Sequence, residues 1–141
     1  MSLAAELERA LHYPLADQLP PRGGAIELMP GLKWLRMVLP FALDHINLWL
    51  LRDRIDDGEG WTVVDCCIDH PEPRADWEQV FARELDGLPV LRVIVTHMHP
   101  DHVGLAHWIC ERWSTPEHEC RLWMSATDYM NARHACQVVN S

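Results

Sequence analysis

Apolar and polar positions along the chain change period several times, and each change marks an element. Leu3, Leu7, Ala10 and Leu11 recur at helical spacing, which predicts a short helix over residues 3–11 before Pro14. KWLRMVLP (33–40) and HINLWLLRD (45–53) read as strands, and DDGEG (56–60) turns the second back into WTVVD (61–65) as a hairpin, so three strands come early. The period then lengthens. In ADWEQVFARELDG (75–87), Trp77, Val80, Phe81, Leu85 and Leu88 share one helical face, and Gly87 is placed to stop the helix. PVLRVIVT (89–96) is the next strand, rich in β-branched residues. A helix HVGLAHWICERW (102–113), a strand RLWMS (121–125) and a helix ATDYMNARHACQ (126–137) complete the pattern. A helix, three strands and then alternating helix and strand predict an α/β fold, a layered sheet with helices packed against it.

Pro and Gly clusters supply the punctuation (QLPPRGG, MPG, DDGEG, HPEP, DGLP), with no internal repeat or low-complexity tract. At 141 residues the chain is one modest domain at most. Apolar residues at 48% and charged residues at 23% give an ordinary globular balance without a bilayer-length apolar run, so no membrane association is expected. The amino terminus carries acidic residues and lacks a basic start followed by an apolar core, which argues against a secretory signal and for a cytoplasmic setting. Cys66, Cys67, Cys110, Cys120 and Cys136 form an odd set without C-x-x-C spacing, which fits reduced packing thiols better than a disulfide framework or a zinc knuckle. A net charge of −9 disfavours a broad grip on nucleic acid.

The densest chemistry lies in VIVTHMHPDHVG (93–104), where three histidines and an aspartate fall within six consecutive positions after an apolar β-branched run. Residues two apart on an extended segment point to the same side, so His97 and His99 can reach one metal ion together. Pro100 suits the first position of a helix, which brings Asp101 and His102 beside that pair. The positive end of the following helix would favour an anionic group nearby. Imidazole and carboxylate donors suit zinc best, with iron or manganese as alternatives. The competing reading, a solvated loop with Asp101 only capping a helix, explains neither the strand before it nor the crowding.

This stretch resembles the His-x-His-x-Asp-His signature of metallo-β-lactamase-fold hydrolases, and the similarity extends through GWTVVDCCID, the amphipathic helix and VLRVIVTHMHPDH, covering roughly Met37 to the final helix. The resemblance implies an αββα sandwich, a dinuclear zinc site, and hydrolysis by metal-bound hydroxide of an ester, thioester or related bond in a small molecule. It makes His97 and His99 ligands of one metal and Asp101 and His102 ligands of a second, with Asp101 and His102 as the catalytic pair. Asp65 resembles the supporting aspartate beneath the metals. Cys66 and Cys67 depart from the Thr-Gly that commonly follows that aspartate, placing a side chain where glycine's freedom is usual.

The family's remaining ligands, two histidines and a bridging aspartate, have no counterpart here, because TPEHEC and NARHACQ lack the glycine-rich surroundings of such a ligand. Residues 1–141 are therefore expected to be the amino-terminal βα half of a longer hydrolase, inactive or weakly active alone, with an uncovered sheet face open to self-association. The alternative is a non-catalytic remnant of the fold that serves as a structural or interaction module. His107, His118 and His134 read as surface or packing residues and His45 as a turn residue. Trp34, Trp49, Trp61, Trp77 and Trp123 read as core.

Overall fold

The structure, a computed structural model, describes residues 2–138. Its sheet grows from alternating strands whose two faces have different fates. In β2 (Leu32–Val38), Lys33, Leu35 and Met37 are buried, and in β3 (His45–Ile55) Ile46, Leu48 and Leu50 are buried, while the intervening residues stay half-exposed or exposed. β4 (Gly58–Val64) returns from β3 through a tight turn with Asp56 at φ +51°, and the two pair antiparallel from Ile55/Gly58 to Trp49/Val64. A further strand, β1 (Ile26–Met29), lies antiparallel on β2. Four strands thus precede the first crossover where three are expected; β1 is only four residues long, with one half-buried position, too short to show a period.

From β4 the chain crosses through α2 (Pro71–Arg83) to β5 (Val90–Ile94), parallel to β4, and then through two further helices to β6 (Arg121–Trp123), parallel to β5. The six strands stand in sequence order, antiparallel from β1 to β4 and parallel from β4 to β6. α2 begins at Pro71, earlier than the apolar period suggests, because a proline at the first helical position loses no hydrogen bond. It ends at Arg83, before Gly87. The expected helix over 102–113 is two, α3 (Pro100–Val103) and α4 (Ala106–Trp113). The Leu105 N–H donates to the Cys67 carbonyl (3.1 Å) instead of continuing the helical ladder. α1 (Leu3–Arg9) buries no residue, and α5 (Ala126–Val138) closes the described chain.

The core forms where Trp77, Val80, Phe81 and Leu85 from α2 and its end, with Leu105, Ala106 and Ile109 around α4, cover Leu35, Leu48, Leu50, Val63, Val90 and Val93 of the sheet. Two polar groups in it are paired, whereas the buried Trp113 indole nitrogen at its margin has no hydrogen-bond partner among the described residues. The Trp61 indole donates to the Leu85 carbonyl (3.0 Å), and buried Lys33 donates to the carbonyl (2.6 Å) and carboxylate (3.2 Å) of Glu84 at the carboxyl end of α2, where a cation is favoured.

The opposite face carries Trp34, Trp49, Val64, Ile94 and Trp123, aligned as direct partners across β2 to β6. Trp61 and Trp77 are buried as expected, but Trp34 and Trp49 are half-exposed and Trp123 is 55% exposed, which corrects their assignment to the core. A mixed sheet flanked by helices, whose second face carries one apolar row beside the polar cluster of Asp53, Thr62 and Arg92, has the form of one half of an αββα sandwich. Among the described residues, no helix is long and apolar enough to cross a membrane.

Candidate metal centre

The three parallel strands present their carboxyl ends side by side, the edge at which α/β sheets place their ligands. β4 runs out at Asp65, β5 runs on into Thr96 and the histidine loop, and β6 leads to Ser125 and α5. Asp65 N–H donates to the Ile94 carbonyl (2.9 Å) and Val95 N–H to the Trp123 carbonyl (2.9 Å), which lock the three ends in register. The chain then turns sharply, with Asp65 at φ +60° and Cys67 at φ +69°, both in the left-handed region that costs a non-glycine residue about 1–2 kcal/mol. The bend is held from outside: Cys66 N–H donates to the His102 carbonyl (2.8 Å), Leu105 N–H to the Cys67 carbonyl, and the Trp77 indole to the Cys66 carbonyl (2.8 Å). The helix α2 thereby fastens the loop beneath the histidines.

Asp65 is the centre of the polar network. Its buried carboxylate accepts from Thr96 N–H (2.8 Å), from the Thr96 hydroxyl (2.8 Å) and from His102 Nδ1 (2.9 Å). Thr96 spends its hydroxyl proton on Asp65, so its oxygen accepts from His97 Nδ1, 3.0 Å away. One carboxylate thus fixes both rings in the tautomer that carries hydrogen on Nδ1 and leaves Nε2 with a lone pair, directly for His102 and through Thr96 for His97.

Each Nε2 faces a further polar atom of the loop. His97 Nε2 lies 3.1 Å from His99 Nδ1, close to the edge of about 3.3 Å set by two zinc–nitrogen bonds of about 2.0–2.1 Å in a tetrahedron. His102 Nε2 lies 3.6 Å from Asp101 Oδ2. His99 Nδ1–H can donate to His97 Nε2, and a divalent cation could stand in that proton's place, so both pairs fit a metal by donor type and spacing. His97 and His102 pack with ring centroids 3.9 Å apart, which makes the two pairs neighbours. Even so, among the described residues no three or more His, Cys, Asp or Glu side chains form a group that could hold a metal ion. The donors come in twos.

α3 is a single turn of four residues, too short for the aligned dipole expected of a long helix at this point. Asp128 also reaches the loop: its carboxylate accepts from Met98 N–H (3.1 Å) and from the Ser125 hydroxyl. The Ser125 hydroxyl chiefly, with the Met98 N–H assisting against burial, holds the Asp128 carboxyl below its ordinary range. Neither Thr96 nor Asp128 stands out in the sequence, although Ser125 and Asp128 have the spacing of a helix capping box. His107 is exposed and faces Glu111, His118 Nε2 bonds the Leu91 carbonyl (2.8 Å), and His45 Nδ1 faces Asp44 (2.6 Å), while His134 lies exposed on α5.

Fold and edge together define a class: a half-sandwich α/β domain with an imidazole and carboxylate cluster at the carboxyl ends of its parallel strands. The family model for the metallo-beta-lactamase superfamily matches residues 42–128, and the chain belongs to that superfamily. Membership implies metal dependence in general terms. A beta-lactamase domain protein from Burkholderia ambifaria is 57% identical, with a TM-score of 0.84 over 92% of this chain and 38% of that one. A metallo-beta-lactamase family protein from Thermus thermophilus is 31% identical, with a TM-score of 0.50 over 59% of this chain and 27% of that one. A metallo-beta-lactamase of Pseudomonas aeruginosa, solved in a mono-zinc form, shares the fold at 16% identity and a TM-score of 0.53, over 78% of this chain and 45% of that one. The present chain therefore spans less than half the length of each of these proteins. Comparison with curated proteins finds no significant match.

Proposed function

We propose that residues 1–141 are the metal-nucleating part of a metal-dependent hydrolase, with His97 and His99 as one donor pair, Asp101 and His102 as a second, and Asp65 as the group that orients them. The observation that carries this reading is the Asp65 carboxylate, whose bonds to Thr96 and His102 set the tautomers of two histidines. A ring merely packed in a polar loop needs no such control. Zinc, with iron or manganese as alternatives, would at neutral pH supply a hydroxide nucleophile and a Lewis acid for the scissile carbonyl. The chain's own part is to fix the His97 and His102 rings through Nδ1 so that Nε2 is turned away from Asp65, to keep Asp101 Oδ2 3.6 Å from His102 Nε2, and to fix the loop through Asp128. The substrate class that suits this chemistry is a small-molecule ester or thioester. In a longer protein containing these residues, replacing Asp101 and His102 together by alanine abolishes ester or thioester turnover while the fold is kept; unchanged turnover rejects the assignment.

A second reading is favoured by the donors occurring only in pairs among the described residues. Taken alone, residues 1–141 then act as a structural or interaction module. The apolar row Trp34–Trp49–Val64–Ile94–Trp123 supports that role, as the face through which one copy would pair with another. Metal analysis of the purified chain after zinc addition separates the two: retained zinc supports the metal-nucleating part of a hydrolase, and none retained supports the module.

A further inference from the structure

Away from the histidine loop, a cavity of about 560 Å3 opens where α4, β6 and α5 meet. Its wall includes Cys110 from α4 and Cys120 from the residue before β6. Their thiols are neighbours, near enough for each to shift the titration of the other. The backbones are tied as well, because the Ser114 hydroxyl donates to the Cys110 carbonyl (2.7 Å) and accepts from the Cys120 N–H (3.0 Å), so one oxygen atom spans the gap between the two residues. Cys120 is 3% exposed, whereas Cys110 is half-buried.

We propose that Cys110 and Cys120 form a reversible disulfide, written by a hydroperoxide reaching Cys110 through this cavity and erased by a small-molecule thiol. Cys110, as thiolate, attacks one peroxide oxygen; the O–O bond breaks, the departing oxygen takes a proton and leaves as water or alcohol, and Cys110 becomes a sulfenic acid. The Cys120 thiol gives up its proton and attacks the Cys110 sulfur. The S–S bond forms, the S–O bond breaks, and hydroxide leaves as water with that proton. Two electrons pass from the two sulfurs to the peroxide. The division of labour follows the exposure of the two thiols, half-buried Cys110 meeting the peroxide and buried Cys120 resolving it, and their pairing works the same way, lowering the Cys110 thiol and raising Cys120 together with burial. The link ties the end of α4 to the start of β6 and is independent of any metal held at the histidine loop.

The test oxidises the whole chain with hydrogen peroxide, blocks remaining thiols with N-ethylmaleimide, and digests with trypsin, whose cut after Arg112 puts the two cysteines on separate peptides. The expected product joins those peptides and separates on adding dithiothreitol. In C120S, dimedone instead traps a sulfenic acid on Cys110, and C110S yields neither product. C136S, altered on exposed α5, still gives the joined peptides. Free alkylation of both Cys110 and Cys120 after peroxide, or a link from Cys110 to Cys136, overturns the proposal.

Discussion

Asp65 concentrates more of the local energetics than any metal-donor candidate does. Removing its carboxylate leaves the Thr96 N–H, the Thr96 hydroxyl and His102 Nδ1 without their acceptor in a site that is 4% exposed at Asp65. Unsatisfied donors cost about 1–3 kcal/mol each, so Asp65→Ala should destabilise the chain by about 3 kcal/mol in urea denaturation, and a change below about 0.5 kcal/mol contradicts the network. Asp128 makes a pH-dependent contribution of known sign. Its carboxyl is held low in the folded chain, so the stabilisation is present above the ordinary carboxylate value of about 3.9 and is lost as pH falls through the lower folded value. The acid limb of a pH–stability curve should therefore be shallower in Asp128→Asn. Burial pushes the Cys67 thiol up to about 11, so this residue should resist iodoacetamide at pH 7.5 until the chain is unfolded. The histidines, Asp101 and Asp65 are legible in the sequence because they crowd at strand ends. Thr96 and Asp128 are not, since only the parallel pairing of β4, β5 and β6 brings them to the same edge.

Among the elements, the break between α3 and α4 decides where the donors stand. Val103, Leu105, Ala106, Ile109 and Trp113 keep a helical period through the break, which is why the sequence predicts one continuous helix. What interrupts it is a contact between distant segments, the Cys67 carbonyl taking the Leu105 N–H. Gly104 permits that approach by its lack of a side chain: a Cβ there would stand 2.5 Å from the Pro100 oxygen, 2.8 Å from the Asp69 nitrogen and 2.9 Å from the Cys67 oxygen. All three are backbone atoms that cannot swing aside. Gly104→Ala should cost about 2–3 kcal/mol by thermal or chemical denaturation, and a neutral result contradicts the packing of α3 on the 65–69 loop. The hairpin of β3 and β4, the core stripe of α2 and the β5 strand are all legible, because their burial follows a simple period. β1 escapes notice as a short edge strand with one half-buried residue.

At the level of the whole molecule, α2 and α4 cover one face of the sheet and leave the other with an apolar row ending in exposed Trp123. The row is invisible to a count of tryptophans, which predicts core packing for each; it emerges only when strand register aligns Trp34, Trp49 and Trp123 on one side. The account rests on the claim that the loop from His97 to His102 holds a divalent cation. Equilibrium dialysis of the purified chain against zinc, with metal read by mass spectrometry, tests it most directly. The account predicts zinc retained at one to two equivalents per chain and lost when His97 and His99 are both replaced by alanine in a variant with unchanged circular dichroism. No zinc retained by the parent chain, or equal retention in the variant, would contradict it.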